Sequence, residues 1–191
     1  SDVCSSDLHH TCHAASAYYP SGFDEAEIVT VDGVGDTYSS RSFQARGGKL
    51  SPRAEFFHTG FPLGHSYEYL TAMLGFHPHR HAGKVTGLSA HGRRDDRLLR
   101  ELERWLAEVW SARRGRPYFF MLHTRDGSNR DDPAYEQAVR ELRSLRETRF
   151  GDWSNTDLAW AIQYVLERDV TAMIERTVPE IDGQPICLAG G

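Results

Sequence analysis

A chain of 191 residues, 39% hydrophobic and 26% charged, is long enough for one sizeable globular domain, and this composition excludes an intrinsically disordered protein. The net charge of −5 argues against a nucleic-acid-binding protein, which normally carries a basic surface. No apolar run approaches the roughly 20 residues of a membrane span, and three cysteines without paired spacing predict a reducing, cytoplasmic environment.

Both ends of the sequence differ from the rest. The opening run SDVCSSDL lacks the pattern of a domain start, so we expect residues 1–8 to be a non-native leader. The last run, PICLAGG, places two glycines directly after a strand-like segment, which normally leads into a loop and a further element. We therefore expect residues 9–191 to be part of a domain that is truncated at both ends.

The first part of the chain predicts a short helix and then strands. Residues 9–19 are rich in Ala, His and Tyr and predict a helix that ends before Pro20. The predicted strands cover residues 26–32, 37–45 and 49–58. Gly47 and Gly48 predict a turn, and Pro52 predicts a break or bend in the last strand. These strands indicate an antiparallel meander.

Helical periodicity dominates the rest of the chain. Apolar residues recur at i, i+3 and i+4, as on the buried face of an amphipathic helix. The predicted helices cover residues 64–75, 95–111 and 132–147, and a long one that begins with an N-cap within 152–155 and reaches about residue 176. A strand or buried segment is predicted at 117–124 and a final strand at 185–189. The order of these elements predicts an α/β or α+β fold with a mixed sheet.

His9 and His13 are the strongest candidate site residues. They are four residues apart in the predicted first helix, so both imidazoles lie on one face and can reach one point. Asp32 ends the apolar run EAEIVTVD and can add an oxygen ligand. Two nitrogens and one carboxylate suit a divalent transition metal with open coordination positions. Two alternatives stay open, because the histidines can be ordinary residues and Asp32 can belong to a plain β-turn.

Two neighbours complicate the choice of ligands. His10 and Cys12 crowd the same helical turn as His9 and His13. On a helix Cys12 faces away from the His9–His13 stripe, so we expect it to be a small core residue. His10 stays an alternative ligand at this point.

Lys84 is one of only two lysines and lies in the glycine-framed run HAGKVTG. Flanking glycines allow close approach of a backbone, and a lysine in such a loop can act as a point charge for phosphate. The alternative is a solvated turn lysine. His77, His79 and His81 precede this run, and we expect them to form a polar loop rather than a metal site.

Four stretches occur in order along the chain: HHTCHAASAYYPSGFDEAEIVTVDGVGD, GHSYEYLTAMLGF, GKVTGLSAHG and ICLAGG. Together they resemble the carbamoyltransferase family that acts on antibiotics and nodulation factors. The first is similar to the family signatures H-H-x-x-H-A-A-S-A-Y-Y-P-S-x-F and V-D-G-x-G. The resemblance covers residues 9–92 most closely and 153–191 less closely, whereas residues 93–152 are matched by position alone.

The resemblance implies a ribonuclease-H-like, actin-like ATPase fold, similar to the module of tRNA threonylcarbamoyladenosine synthase. It implies that His9, His13 and Asp32 ligate a divalent metal, most readily Fe²⁺, and that His13 and Lys84 act in catalysis. Cofactor contacts to ATP or carbamoyl adenylate would come from Lys84 and from Gly33, Gly35, Gly190 and Gly191. The implied reaction moves a carbamoyl group from carbamoyl phosphate, through carbamoyl adenylate, to a hydroxyl of a small metabolite.

The chain also departs from the family pattern. Ala82 stands where family members often carry an acid, and the second domain that would handle carbamoyl phosphate is not in this sequence. We therefore expect the segment alone to be inactive. A non-catalytic nucleotide- or metal-binding module is one alternative, and a tRNA threonylcarbamoyl-transfer enzyme is another. No nucleic acid or membrane partner is expected, a homodimer stays possible, and the acceptor is not readable from the sequence.

Overall fold

The computed structural model describes residues 8–35, 38–57, 63–111, 133–178 and 183–190, so the segment predicted at 117–124 lies outside the described residues. The chain divides into two compact units: a sheet unit, Ser1–His65 with Glu167–Gly191, and a helical unit, Ser66–Leu166. The helices are α1 (His9–Tyr18), α2 (Leu63–Met73), α3 (Ala82–Ser89), α4 (Asp96–Ser111), α5 (Pro133–Thr148) and α6 (Asn155–Thr177). The strands are β1 (Glu25–Gly35), β2 (Tyr38–Arg46), β3 (Lys49–Phe57) and β4 (Ile186–Ala189).

The sheet has the order β3-β2-β1-β4. β1, β2 and β3 form the predicted antiparallel meander, and β4 pairs with β1 in parallel. Gly47 and Gly48 both have positive φ, 54° and 77°, as a two-residue hairpin turn of the favoured handedness requires. Pro52 lies on the edge strand β3, beside a shift in register, where its missing N–H costs no ladder bond. The predicted α/β class with a mixed sheet is therefore confirmed.

Alternation along β1 gives the sheet two buried faces. Ile28 and Phe43 face α1 and pack with Ala14 and Tyr18 of that helix. Val29, the next residue of β1, points to the other face and packs with residues from the end of α6 and just beyond it, Met173 and Val178. Because α1 is pressed onto β1 by this apolar contact, residues at the ends of both elements are brought together.

The helical unit has its own core. Leu98, Leu102 and Leu106 of α4 are fully buried, as the i, i+4 spacing predicts. Trp105 and Phe150 meet edge to face, with ring centroids 6.0 Å apart, a favoured aromatic arrangement. The helices predicted at 64–75, 95–111, 132–147 and 152–176 are all present within a few residues of those bounds. Among the helices of the described ranges, none combines the length and hydropathy that a membrane span requires.

The loop predicted around Lys84 is wrong. Residues 82–89 form the helix α3, and Val85 in its middle is fully buried. Gly83 and Gly87 have ordinary helical backbone, and a Cβ at either position would meet nothing within 4 Å. Burial of Val85 therefore outweighs the modest helix-breaking tendency of the two glycines.

A capping box begins α6. The Asp157 backbone N–H donates to Ser154 Oγ at 3.1 Å, and the Ser154 backbone N–H and hydroxyl both point to Asp157 Oδ2, at 3.4 Å and 2.6 Å. These bonds satisfy donors that a helix start otherwise leaves open. The hydrogen bond from the Ser154 hydroxyl, followed by the Arg93 N–H, holds the pKa of Asp157 below its ordinary value of 3.8.

Replacing Ser154 with alanine is expected to lower the free energy of unfolding by about 1 kcal/mol, because the cap is lost. Urea denaturation measures this change. Ser144→Ala, at an exposed position inside α5, is the matched control and is expected to have no destabilising effect. Because Asp157 has a depressed pKa, its contribution is complete above about pH 4 and is lost as the pH falls through the folded-state pKa. An equal loss in both variants would contradict the capping role.

Candidate metal centre

His9 and His13 lie one turn apart on α1 and converge on Asp32 of β1. His9 Nε2 is 2.5 Å from Asp32 Oδ2, and His13 Nε2 is 3.3 Å from the same oxygen. The two Nε2 atoms are 3.2 Å apart. One donor atom from each residue therefore lies within 4.8 Å of the others. The structure brings together the three residues that the sequence predicts as metal ligands.

The Asp32 carboxylate is held in a fixed direction. Its Oδ1 accepts the backbone N–H of Gly33 at 2.6 Å, which leaves Oδ2 directed to the two imidazoles. Carboxylates that bind metals commonly accept a hydrogen bond as well, and this hydrogen bond orients the oxygen that binds the metal. The plain β-turn reading of Asp32 does not hold, because Asp32 lies within the strand Glu25–Gly35.

The donor set fits a divalent transition metal. Ligand atoms bound at about 2.0–2.2 Å to one ion lie near 3 Å from one another, and the 3.2 Å and 3.3 Å separations match this spacing. The 2.5 Å contact between His9 and Asp32 is a hydrogen bond that metal binding would replace. Two imidazoles and one carboxylate are also the donors of the facial triad that holds non-haem Fe(II) with open positions.

Exposure differs across the cluster. The side chains of His9 and His13 are 40% and 29% exposed, whereas that of Asp32 is 16% exposed. Solvent therefore reaches the cluster past the two imidazoles rather than past Asp32. A ligand could reach an ion there without displacing the protein donors.

His10 is not part of this donor set. Its side chain is fully buried, with Nδ1 2.8 Å from Thr30 Oγ1 and Nε2 3.0 Å from the carbonyl oxygen of Tyr38. Burial lowers the pKa of His10 below its ordinary value, against the opposing effect of the Tyr38 carbonyl. The structure thus removes His10 from the choice of ligands that the sequence leaves open.

The prediction for Cys12 is wrong. Cys12 is exposed, and His10, Ala14 and Tyr18 supply the buried stripe of α1. These three recur every four residues, and Cys12 lies two residues from both His10 and Ala14, on the far side of the helix. Facing away from the His9–His13 stripe does not by itself direct a side chain to the core.

Two further residues at the centre are not predicted by the sequence. A Cβ added to Gly33 would lie 2.8 Å from Nδ1 of His65, and one added to Gly64 would lie 2.5 Å from the backbone nitrogen of Gly33. Gly64 and His65, in the first turn of α2, thus pack directly against the backbone that follows Asp32. His65 is 4% exposed. The sequence feature behind this contact is a pair of glycines, Gly33 on β1 and Gly64 on α2. Because they lie on separate elements, no local sequence pattern shows that they meet.

Comparison with known proteins identifies the family. The model of the carbamoyltransferase N-terminus family matches residues 1–191. The chain belongs to the carbamoyltransferase N-terminus family. One relative is an uncharacterized protein of Synechocystis sp., 30% identical over 185 residues, which make up 96% of this chain and 29% of the relative. Another, from Methanocaldococcus jannaschii and also uncharacterized, is 34% identical over 110 residues, or 50% of this chain and 18% of the relative.

The carbamoyltransferase N-terminus chain thus spans less than a third of the length of these curated relatives. The resemblance given by the sequence motifs is confirmed at the level of the family. The match runs through residues 93–152 as well, which the motifs reach only by position.

The terminal glycines of this carbamoyltransferase-family chain have different surroundings. Gly190 follows β4 with φ 142°, and a Cβ there would lie 1.7 Å from the carbonyl oxygen of Val31. Gly190 therefore passes directly over the residue before Asp32. Gly35 ends β1 and pairs with Tyr38, whereas Gly191 lies outside the described residues. The nucleotide-binding roles of Gly33, Gly35, Gly190 and Gly191 stay predictions.

Lys84 belongs to the helical unit. It is exposed in the first turn of α3, and its Nζ lies 5.6 Å from the ring centroid of Phe76, within the range of a cation–π contact. Its role toward phosphate stays a prediction. The nearby histidines form the expected polar turn: the His77 backbone N–H donates to His81 Nδ1 at 3.2 Å, and His79 pairs with Glu68 at 3.1 Å.

Proposed function

We propose that this chain is part of an ATP- and metal-dependent enzyme that transfers a carbamoyl group to a hydroxyl of a small metabolite. The observation that carries the proposal is the convergence of His9, His13 and Asp32 in a chain of the carbamoyltransferase N-terminus family. A divalent metal, Fe²⁺ in our proposal, would supply Lewis-acid polarisation of the carbamoyl group when bound. An actin-like ATPase fold for the whole protein is part of the same proposal.

The protein's own residues would share the work as follows. His9, His13 and Asp32 would hold the ion, with the Gly33 N–H keeping the Asp32 carboxylate in place. Backbone at Gly33, Gly35, Gly190 and Gly191 would approach the nucleotide, and Lys84 would act as a point charge for a phosphate group. These roles follow from the family resemblance together with the geometry of the metal centre.

The proposed transfer step forms one bond at the carbamoyl carbon and breaks another. The acceptor hydroxyl oxygen bonds to the carbamoyl carbon of carbamoyl adenylate, and the bond from that carbon to the adenylate oxygen breaks. AMP leaves, and the hydroxyl proton passes to solvent or to a basic group. The adenylate itself would arise from ATP, carbamoyl phosphate and water with release of phosphate and pyrophosphate, a step we assign to another part of the protein. We propose a cytoplasmic enzyme, with a homodimer as a possible assembly.

The test is carbamoyl transfer by the whole protein, with Fe²⁺, ATP, carbamoyl phosphate and a panel of sugars and polyols. We expect AMP to be released only when an acceptor is present. Replacing both His9 and His13 with alanine should abolish this release and remove the bound metal. His91→Ala, at an exposed position outside the cluster, is the matched control and should stay active. Unchanged activity and metal content in the double variant would refute the site. Metal and ATP binding without turnover would favour the alternative of a non-catalytic binding module.

A further inference from the structure

We infer that His10 is a positioning residue, which fixes the rotation of α1 so that His9 and His13 face Asp32. This inference rests on the proposed metal-binding function of that cluster. It assigns a role to the middle histidine of the run HHTCH, which is neither a ligand nor an ordinary apolar core residue.

The bonds of His10 join α1 to two strands at once. Thr30, 2.8 Å from Nδ1, is on β1, and the Tyr38 carbonyl, 3.0 Å from Nε2, is on β2. Thr30 and Asp32 are two residues apart on β1 and so point to the same face of the sheet. One strand face therefore holds both the anchor of α1 and the carboxylate that the helix must reach.

The acceptor beside Nε2 determines where His10 carries a proton. A carbonyl oxygen can only accept, so Nε2 carries the hydrogen and donates to Tyr38. Nδ1 is hydrogen-bonded to the Thr30 hydroxyl at 2.8 Å, and the same hydroxyl donates to the carbonyl oxygen of Arg41 at 3.1 Å. Thr30 Oγ1 is in turn fixed by the backbone of Arg41, whose N–H donates to it at 3.3 Å, and Thr30 and Arg41 are paired in the β1–β2 ladder. These bonds fix both the orientation of the His10 ring and its distance from the sheet.

Further directed bonds of α1 lie at its C-terminal end, where the Tyr18 hydroxyl donates to the carbonyl oxygen of Asp24 at 2.9 Å and accepts the Gly48 N–H at 3.3 Å. His10 makes its two bonds beside the candidate ligands, eight residues before Tyr18. His9 and His13 are partly exposed, so packing alone does not hold their rings. A site works only when its ligands are held within about 0.5 Å of the required geometry. The directed bonds of His10, one residue after His9 and three before His13, meet that need.

The experiment compares metal affinity with fold stability in the protein. Two variants test the anchor: His10→Leu removes both bonds and keeps an apolar volume, and Thr30→Val removes the Nδ1 partner with little change in shape. Co²⁺ serves as the probe, because its visible absorption spectrum reports ligand geometry. Ile28→Val is the matched control, since Ile28 is fully buried in the same α1–sheet core and touches no bond of His10.

We expect the Kd for Co²⁺ to rise about tenfold in His10→Leu and Thr30→Val, the lower end of the range for partners bonded directly to a ligand, because His10 acts on His9 and His13 through the helix. The Co²⁺ spectrum should change as well. Ile28→Val should unfold at a lower urea concentration than the wild-type protein and keep the wild-type Kd and spectrum. If His10→Leu fails to fold, Thr30→Val alone decides.

The outcomes separate the two hypotheses. If the wild-type protein binds Co²⁺ and both test variants bind it with the same Kd and spectrum, the positioning role is refuted and the metal site survives. If Ile28→Val loses affinity as much as the test variants do, general loosening of the core explains the effect and the inference also fails. If the wild-type protein binds no Co²⁺ that His9→Ala or His13→Ala removes, the proposed metal site itself is wrong, and the inference falls with it.

Discussion

Replacing Asp32 with asparagine is expected to raise the Kd for Fe²⁺ or Co²⁺ by more than about 100-fold, since a ligand should matter more than its hydrogen-bonded neighbours do. Asparagine has nearly the same shape, and its side-chain oxygen can still accept the Gly33 N–H that Asp32 accepts at 2.6 Å. The variant therefore removes the negative charge and keeps the local backbone bond. Calorimetric titration without oxygen measures the affinity.

A matched variant shows whether the loss is specific to Asp32. Asp24→Asn removes one negative charge from an exposed position in the segment before β1, so it changes the net charge equally. We expect it to keep the wild-type Kd. Equal weakening in the two variants would mean that general electrostatics, rather than ligation by Asp32, accounts for metal binding.

The convergence of His9, His13 and Asp32 was predictable because its key relations are local. The i, i+4 spacing of His9 and His13 sets their common face on any helix, and Asp32 follows an apolar run that has the composition of a strand. The contact between α1 and β1 needs only a short connection, the turn around Tyr19–Ser21. The meander was predictable for the same reason, since Gly47 and Gly48 mark its hairpin.

The predictions for Cys12 and for residues 82–89 are wrong because packing between residues distant in the sequence determines the structure there. Nothing near Cys12 shows which side of α1 meets the sheet, and the answer depends on Ile28 and Phe43. The helix at residues 82–89 is fixed by the burial of Val85 in the helical core, which outweighs the local preference of glycine for loops. His65 lies beside Gly33 through an approach of two glycines on separate elements, a long-range relation that periodicity does not reveal.

Replacing Gly190 with alanine is expected to be strongly destabilising. The new Cβ would lie 1.7 Å from the carbonyl oxygen of Val31, far inside contact distance, and the atom it meets is backbone of the central strand β1. Overpacking of this kind costs about 1–3 kcal/mol or more, and the φ of 142° adds strain for a residue with a side chain. Relief requires β1 and the residue after β4 to move apart, next to Asp32.

Gly183→Ala separates strain from collision. Gly183 also has a positive φ, 82°, yet a Cβ there would meet nothing within 4 Å, so this variant should lose about 1 kcal/mol from backbone strain alone. Urea denaturation should show a clearly larger loss for Gly190→Ala, and Co²⁺ titration should show weaker binding in that variant only. Equal losses of stability in the two variants would mean that the sheet adjusts around the new Cβ at Gly190 without a further loss of free energy. In that case the close approach of Gly190 to Val31 would not hold the end of β1, and Asp32 would depend on α1 and the Gly33 N–H for its position.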